Sequence, residues 1–265
     1  MLGLPPRRAA DFVGWGNAYL GGHVSLDTAA EGVVSLDPGH RVDGLVQGDD
    51  VSVTVALGRL AQAGARGLRL ALPIPGDASS LPGPLDFNVE ALAAGEAVLV
   101  VGAPAGLVPT VVHGGDSRGG LRAEVVRWRM LETTGALPGC SSVVEAGRAL
   151  ASAVREATSA LTSLDLAATD PGSERGLSEL RTGAGGPRGL PPGYSDRANE
   201  VVRRAWFLAA LVALADGEDG AAVSAWEMSA RGRQLLAVAD AARAALVAGY
   251  NEATSLGSEG EPPGR

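Results

Sequence analysis

Lysine is absent from all 265 residues, so every one of the 22 basic side chains is an arginine. Without lysine there is no Schiff-base chemistry, no phosphate-loop lysine and no kinase-type lysine. The arginine bias, with abundant Ala, Gly and Val, reads as the signature of a high-GC genome. Cysteine is nearly absent as well. Cys140 stands alone, which excludes an intramolecular disulfide and is compatible with a reducing cytoplasm. Histidine occurs only at His23, His40 and His113. No two of these share a helical metal-binding spacing and none sits beside a cysteine, so no local metal motif exists. Long apolar runs are missing too. The longest, Ala205 to Ala215, has eleven residues where a membrane span needs about 20, so it predicts a buried helix. The start, MLGLPPRRAADF, lacks the apolar core of a signal peptide. Positive charge is in deficit: 22 basic against 30 acidic residues give a formal charge of −8. That argues against a general nucleic-acid or anionic-membrane binder, both of which need a positive field.

What is present is ample material for a core. Hydrophobic residues make up 46% of the chain, enough for a globular fold of one large or two modest domains. Organisation centres on residues 66–102. Leu68, Leu70 and Leu72 alternate with Arg69 and Ala71 as in a strand with one packed face, and Pro73, Pro75 and Gly76 end it. Beyond a Pro/Gly-rich loop, Leu85, Val89 and Leu92 have the spacing of one helix face, with Asp86 in the first turn and Gly95 as the stop. Ala97 to Val101 reads as a central strand. Strand, helix, strand predicts a parallel crossover unit, in which ligands gather beyond the C-terminal strand ends. That logic points to the loop Pro73 to Phe87 and to Asp77, Asp86 and Asn88 as ligand-binding residues. Turn and helix-start chemistry explains the same three residues without any ligand.

Elsewhere, Ala9 to Leu20 reads as a helix that Gly14 and Gly16 weaken, and Ser25 caps a second helix to about Val34. His40 to Val46 reads as a short strand. Val51 to Ala63 fits either a strand or a helix; the helix gives the more regular order into Leu68. Leu107 to Val112 and Leu121 to Trp128 predict two antiparallel strands joined by HGGDSRGG. Ser142-Val-Val-Glu145 is a capping box opening a helix that runs past Leu161. Thr169 to Tyr194, with seven glycines and four prolines, cannot be continuous regular structure. Ser195 caps a helix to about Ala215, and a last long helix runs from about Ala221 to Asn251. The expected fold class is therefore α/β or α+β. A mixed sheet with flanking helices spans residues 1–135, a three-helix region with a Gly/Pro-rich loop at 169–194 spans 136–254, and a flexible tail spans 255–265.

The order LALPIPGD, GPLDFNVEALAAGEAVLVVG, LPPGYSDRANEVVRRAW and VAGYNEA resembles a group of uncharacterised proteins from high-GC actinobacteria. The resemblance covers most of the chain. It implies a bacterial, cytoplasmic protein and brings no activity, cofactor or catalytic residues.

Local catalytic signatures are missing. Gly115-Asp-Ser-Arg-Gly-Gly120 looks like the nucleophile segment of trypsin-like proteases, but Arg118 interrupts it and no matching histidine segment precedes it, so a hairpin loop is the better reading. No Gly-x-Ser-x-Gly elbow occurs. Gly14-x-Gly16 and Gly21-Gly22 do not follow a strand and lack the dinucleotide fingerprint; no cofactor is expected. Cys140 lies near a helix start that could lower a thiol pKa, but no partner histidine can be assigned. Arg203-Arg204 and Arg231-x-Arg233 read as solvated helix faces. Two functions remain open. One is a non-catalytic cytoplasmic binding or protein-interaction protein, its interaction surface on the helices around Trp206 and Trp226. The other is an enzyme acting on a small polar metabolite at the 73–87 loop.

Overall fold

The structure, a computed structural model, describes residues 6–34, 37, 39–45, 50–113, 124–163, 189–216 and 225–258; the side chains of 113, 124, 163, 225–229 and 254–258 are not among those described. The HGGDSRGG loop apart from the His113 backbone, most of the 169–194 segment, the Trp226 side chain and most of the tail thus lie outside the described residues.

Six strands form one sheet in the order β2-β1-β6-β5-β4-β3. They are β1 (His40–Asp43), β2 (Asp50–Ser52), β3 (Gly67–Ala71), β4 (Ala97–Val101), β5 (Ala105–His113) and β6 (Glu124–Glu132). The sheet is mixed. β1 runs parallel to β6, whereas β1–β2, β3–β4, β4–β5 and β5–β6 are antiparallel. This bears out the mixed sheet and the antiparallel β5–β6 pair and overturns the parallel crossover between β3 and β4. Ala71 lies opposite Ala97, so the connection starts and ends at the same end of the sheet. A helical pattern between two strands does not fix their relative direction when the loop before it is long enough to span the helix. α4 (Leu85–Ala94) is ten residues long, about 15 Å at 1.5 Å per residue, and the Leu72–Pro84 segment easily covers that distance.

β4 is apolar throughout because both of its faces are covered. Ala97 and Leu99 join Ala71, Val108, Leu81 and the α4 residues Phe87 and Ala91 in one cluster. The inward face of α4 is therefore Phe87 and Ala91. Leu85 is 75% exposed and Val89 55%, so the face predicted from Leu85, Val89 and Leu92 is mostly the outer one. Phe87 takes the inner position because Gly106 on β5 leaves room for it: a Cβ there would sit 2.5 Å from the ring. On the opposite side of the sheet, α1 (Arg8–Leu20) lays Phe12 against Trp128 at 4.8 Å between ring centroids. Gly16 faces Leu68 so closely that a Cβ would collide with that side chain. The glycine that weakens α1 in isolation is what lets it approach β3. α2 (Leu26–Val34), with Thr28 N–H bonded to Ser25 Oγ, and α3 (Val53–Gln62), with Val55 N–H bonded to Ser52 Oγ, complete this part.

Among the described residues, three further helices follow: α5 (Val143–Ser163), α6 (Asp196–Asp216) and α7 (Ala225–Ser258). The capping box forms as expected. Glu145 N–H donates to Ser142 Oγ at 3.2 Å and Ser142 N–H donates to Glu145 Oε2 at 3.0 Å. Ala157, Val212 and Val238 meet in a core shared by the three helices. Arg231 donates to the carbonyl of Ala215 at 2.7 Å, where the end of α6 favours a cation.

The chain forms two compact units. One joins residues 6–139, Pro191–Tyr194 and the stretch from Tyr250; the other joins residues 140–190 and Ser195–Gly249. Among the described residues, no helix is long and apolar enough to cross a membrane.

Candidate functional site

Among the described residues of the sheet unit, three places gather polar side chains. The first is the loop singled out by sequence. Asp77 is exposed; its backbone N–H bonds the Ile74 carbonyl and its Oδ1 accepts from Ser79 N–H at 3.0 Å. Asp86 is exposed in the first turn of α4. Asn88 Oδ1 accepts from Gly83 N–H at 3.0 Å. Asp77 and Asn88 thus bond neighbouring backbone, as the turn-chemistry explanation requires, and the antiparallel β3–β4 pair removes the topological reason for placing a ligand here.

The second place is where α1 begins. Arg7, at the N-cap, makes no side-chain cap. Instead Glu96, just before β4 and 3% exposed, accepts from Ala9 N–H at 2.6 Å. Burial drives the Glu96 carboxyl up to about 7, against the pull of that N–H, and drives Asp11 up to about 6 despite its ion pair with Arg7. Beside them runs a relay. Arg8 grips Asp37 with both prongs, at 3.0 and 3.1 Å. Asp37 Oδ2 lies 3.1 Å from His40 Nε2, and Trp128 Nε1 lies 3.1 Å from His40 Nδ1. An indole N–H can only donate, so Nδ1 accepts and Nε2 carries the proton toward Asp37. Burial lowers the His40 pKa although Asp37 opposes it; Asp37, which burial would raise, is held below the ordinary carboxylate range by Arg8 and His40. Asp37 and His40 edge an open recess of about 600 Å3 that Asp27, Glu31, Ser52 and Thr54 also line. The recess has acceptors and hydroxyls and no arginine among its described lining residues.

The third place lies along β3. As an edge strand it presents unpaired backbone groups on its free side, and two asparagines take them. Leu68 N–H donates to Asn17 Oδ1 at 2.7 Å and Asn17 Nδ2 donates to the Leu68 carbonyl at 2.9 Å. Leu70 bonds Asn251 of α7 in the same way, at 2.7 and 3.1 Å. Each primary amide thereby replaces one peptide of a missing neighbour strand. Asn17 Nδ2 also reaches Tyr194 Oη at 3.2 Å, and Tyr194 donates to the Tyr250 carbonyl at 2.9 Å. Burial pushes the Tyr194 phenol up, so it stays protonated and able to donate. Next to this corner lies a smaller recess of about 360 Å3 bounded by the end of α1, Arg66, Pro192–Tyr194 and Ala253.

Sequence reasoning missed Glu96, Asn17, Asn251 and Arg66. The only available signal was a polar residue inside an apolar stretch, such as Asn17 between Val13 and Leu20, and that signal names no partner. Trp206, expected on an interaction surface, is buried, and its indole N–H has no partner among the described residues. Nor do three His, Cys, Asp or Glu side chains among them converge to hold a metal ion.

Family models match this chain in two parts that meet just after residue 140. The N-terminal domain of Rv1486c-like proteins matches residues 9–140 and the C-terminal domain matches residues 144–247. The chain belongs to the Rv1486c-like family. It is similar to the uncharacterized protein Rv1486c of Mycobacterium tuberculosis, with 29% identity over 237 residues, 77% of this chain and 81% of that one. It is also similar to the uncharacterized protein MAV321 of Mycobacterium avium, with 34% identity over 196 residues, 62% and 64% of the two chains. These relatives are high-GC actinobacterial proteins, as the resemblance implied, and no activity comes with the family. No solved structure matches the chain.

Proposed function

We propose that this protein is a non-catalytic cytoplasmic binding or protein-interaction protein. The observation that supports this reading is the complete pairing of His40. A general base must offer a free nitrogen to its substrate, and both His40 nitrogens are engaged, one by Trp128 and one by Asp37. Both oxygens of Asp37 are in turn engaged by Arg8. Where titratable groups converge, they stabilise the start of α1 rather than stand ready for proton transfer. The test incubates the full chain with fractionated bacterial metabolites and follows both thermal stabilisation and mass-spectrometric turnover. Stabilisation without turnover supports the reading. Turnover that is lost in a folded Asp77→Ala, Asp86→Ala variant replaces it with the alternative, an enzyme acting on a small polar metabolite at the 73–87 loop.

A further inference from the structure

Two recesses lined by described residues of the sheet unit carry opposite chemistry. The larger holds Asp27, Glu31 and Asp37. The smaller holds Arg66 and His23 and no carboxylate among its described lining residues, in a chain of formal charge −8. Its volume, about 360 Å3, falls in the range that takes small ligands, roughly 300–1,000 Å3.

The residues divide its surface into a satisfied floor and an unsatisfied rim. At the floor, the Asn17 amide is committed to Leu68 and Tyr194, and the Tyr194 hydroxyl donates to Tyr250. These groups have little left to give a ligand. At the rim, Arg66 and His23 are exposed, and neither side chain has a hydrogen-bond or ion-pair partner among the described residues. Arg7, Arg8, Arg127 and Arg129 of this unit behave differently, each holding a carboxylate. The His23 ring also lies close to two glycines. It lies against the backbone of Gly193, where φ is +100° and a Cβ would collide with the ring, and a Cβ at Gly21 would stand 2.9 Å from it. Gly21 and Gly193, on separate segments, thus flank the imidazole, and it shares with Arg66 the lining of a recess walled by Leu20, Pro192 and Ala253.

We infer that this recess is a binding site for a small organic anion whose carboxylate or phosphate is held by Arg66 and His23, with its body against the apolar wall. A guanidinium fork matches either group in two-point geometry. The inference builds on the non-catalytic reading only in that the ligand leaves unchanged.

Titration of the isotope-labelled full chain, followed by nuclear magnetic resonance at constant ionic strength, tests it with three probes: malonate, inorganic phosphate and ethylammonium. Saturating shifts of the His23 ring and the Gly22 and Gly193 amides are expected with malonate, phosphate or both. The anion that saturates identifies which headgroup is taken. Ethylammonium should leave these resonances in place. Arg66→Gln, at an exposed position that should not disturb folding, should weaken the anion at least about tenfold. Ala253→Trp, which fills the recess, should abolish the response. Linear drift without saturation, or equal affinity in folded Arg66→Gln, overturns the site. Saturation at resonances remote from the recess also overturns it, while leaving the proposed binding role standing.

Discussion

The corner where α1 meets β3 and β4 and the helix starts of the second unit satisfy the same kind of backbone group in opposite ways. α5 and α6 begin with serines that reach three residues along: Ser142 to Glu145 N–H and Ser195 to Ala198 N–H. α1 begins with a carboxylate 87 residues away in sequence, and β3 is closed by amides 51 and 181 residues away. The local caps sit in or near solvent, so water replaces them when they are removed. The distant ones are buried, so their loss strands an N–H or a carbonyl with no substitute. The difference teaches that the cost of deleting a cap follows burial rather than bond length.

Four substitutions break or sharpen this contrast. Asn251→Ala strands both the N–H and the carbonyl of Leu70 and should cost about 2–4 kcal/mol in urea denaturation; an unchanged midpoint would show that β3 finds other partners. Glu96 is next. Its folded pKa, about 7, stands above the ordinary 4.5, so between these values the folded chain keeps a proton that the unfolded chain releases. Its contribution to stability is therefore present below pH 4.5 and lost as pH rises to about 7. Glu96→Gln keeps an acceptor for Ala9 N–H and removes that slope, so the wild-type advantage over the variant should shrink by roughly 3 kcal/mol across the window. Asp11, raised to about 6, leaves a residual slope of the same sign in both proteins, and His40, lowered by burial, opposes it. Parallel stability profiles would refute the role given to Glu96. Ser195→Ala should cost only about 1 kcal/mol, measurable by the same denaturation; a cost equal to that of Asn251→Ala would erase the contrast. Smallest of all, Leu85→Ser with Val89→Ser on the outer face of α4 should change stability by no more than about 0.5 kcal/mol per site. A multi-kilocalorie loss in the calorimetric melting curve would restore the face predicted from sequence.

Elements whose determinants lie close together in the chain were readable from the sequence. The capping box, the caps at Ser25 and Ser195, the β5–β6 pair and the buried strand Ala97–Val101 each carry their own chemistry within a few residues. α3 was resolved by Val53, Leu57 and Leu60, although its predicted start at Val51 belongs to β2. The face of α4 was misread because Leu85, Val89 and Leu92 score by side chain alone, while Phe87 is drawn inward by the space that Gly106 leaves on a strand not yet placed. Strand direction was misread for the same reason: register is a property of pairs. Of the two polar groups at the recess rim, Arg66 carries no signal in the sequence, and His23 reads there only as a histidine without a metal-binding partner. Its seat on Gly193 becomes visible only when two segments 170 positions apart come together.

Asn251 also has a consequence in time. The sheet can pair β3 with β4 once Val101 has been synthesised, but the amide that closes Leu70, at Asn251, is made 150 residues after that. At about 5–20 residues per second, translation takes on the order of 8–30 s to reach it. Throughout that interval the nascent chain carries a half-open sheet edge able to template pairing with another chain, so the exposure of this protein to misassembly is set by the ribosome's speed over its later helices.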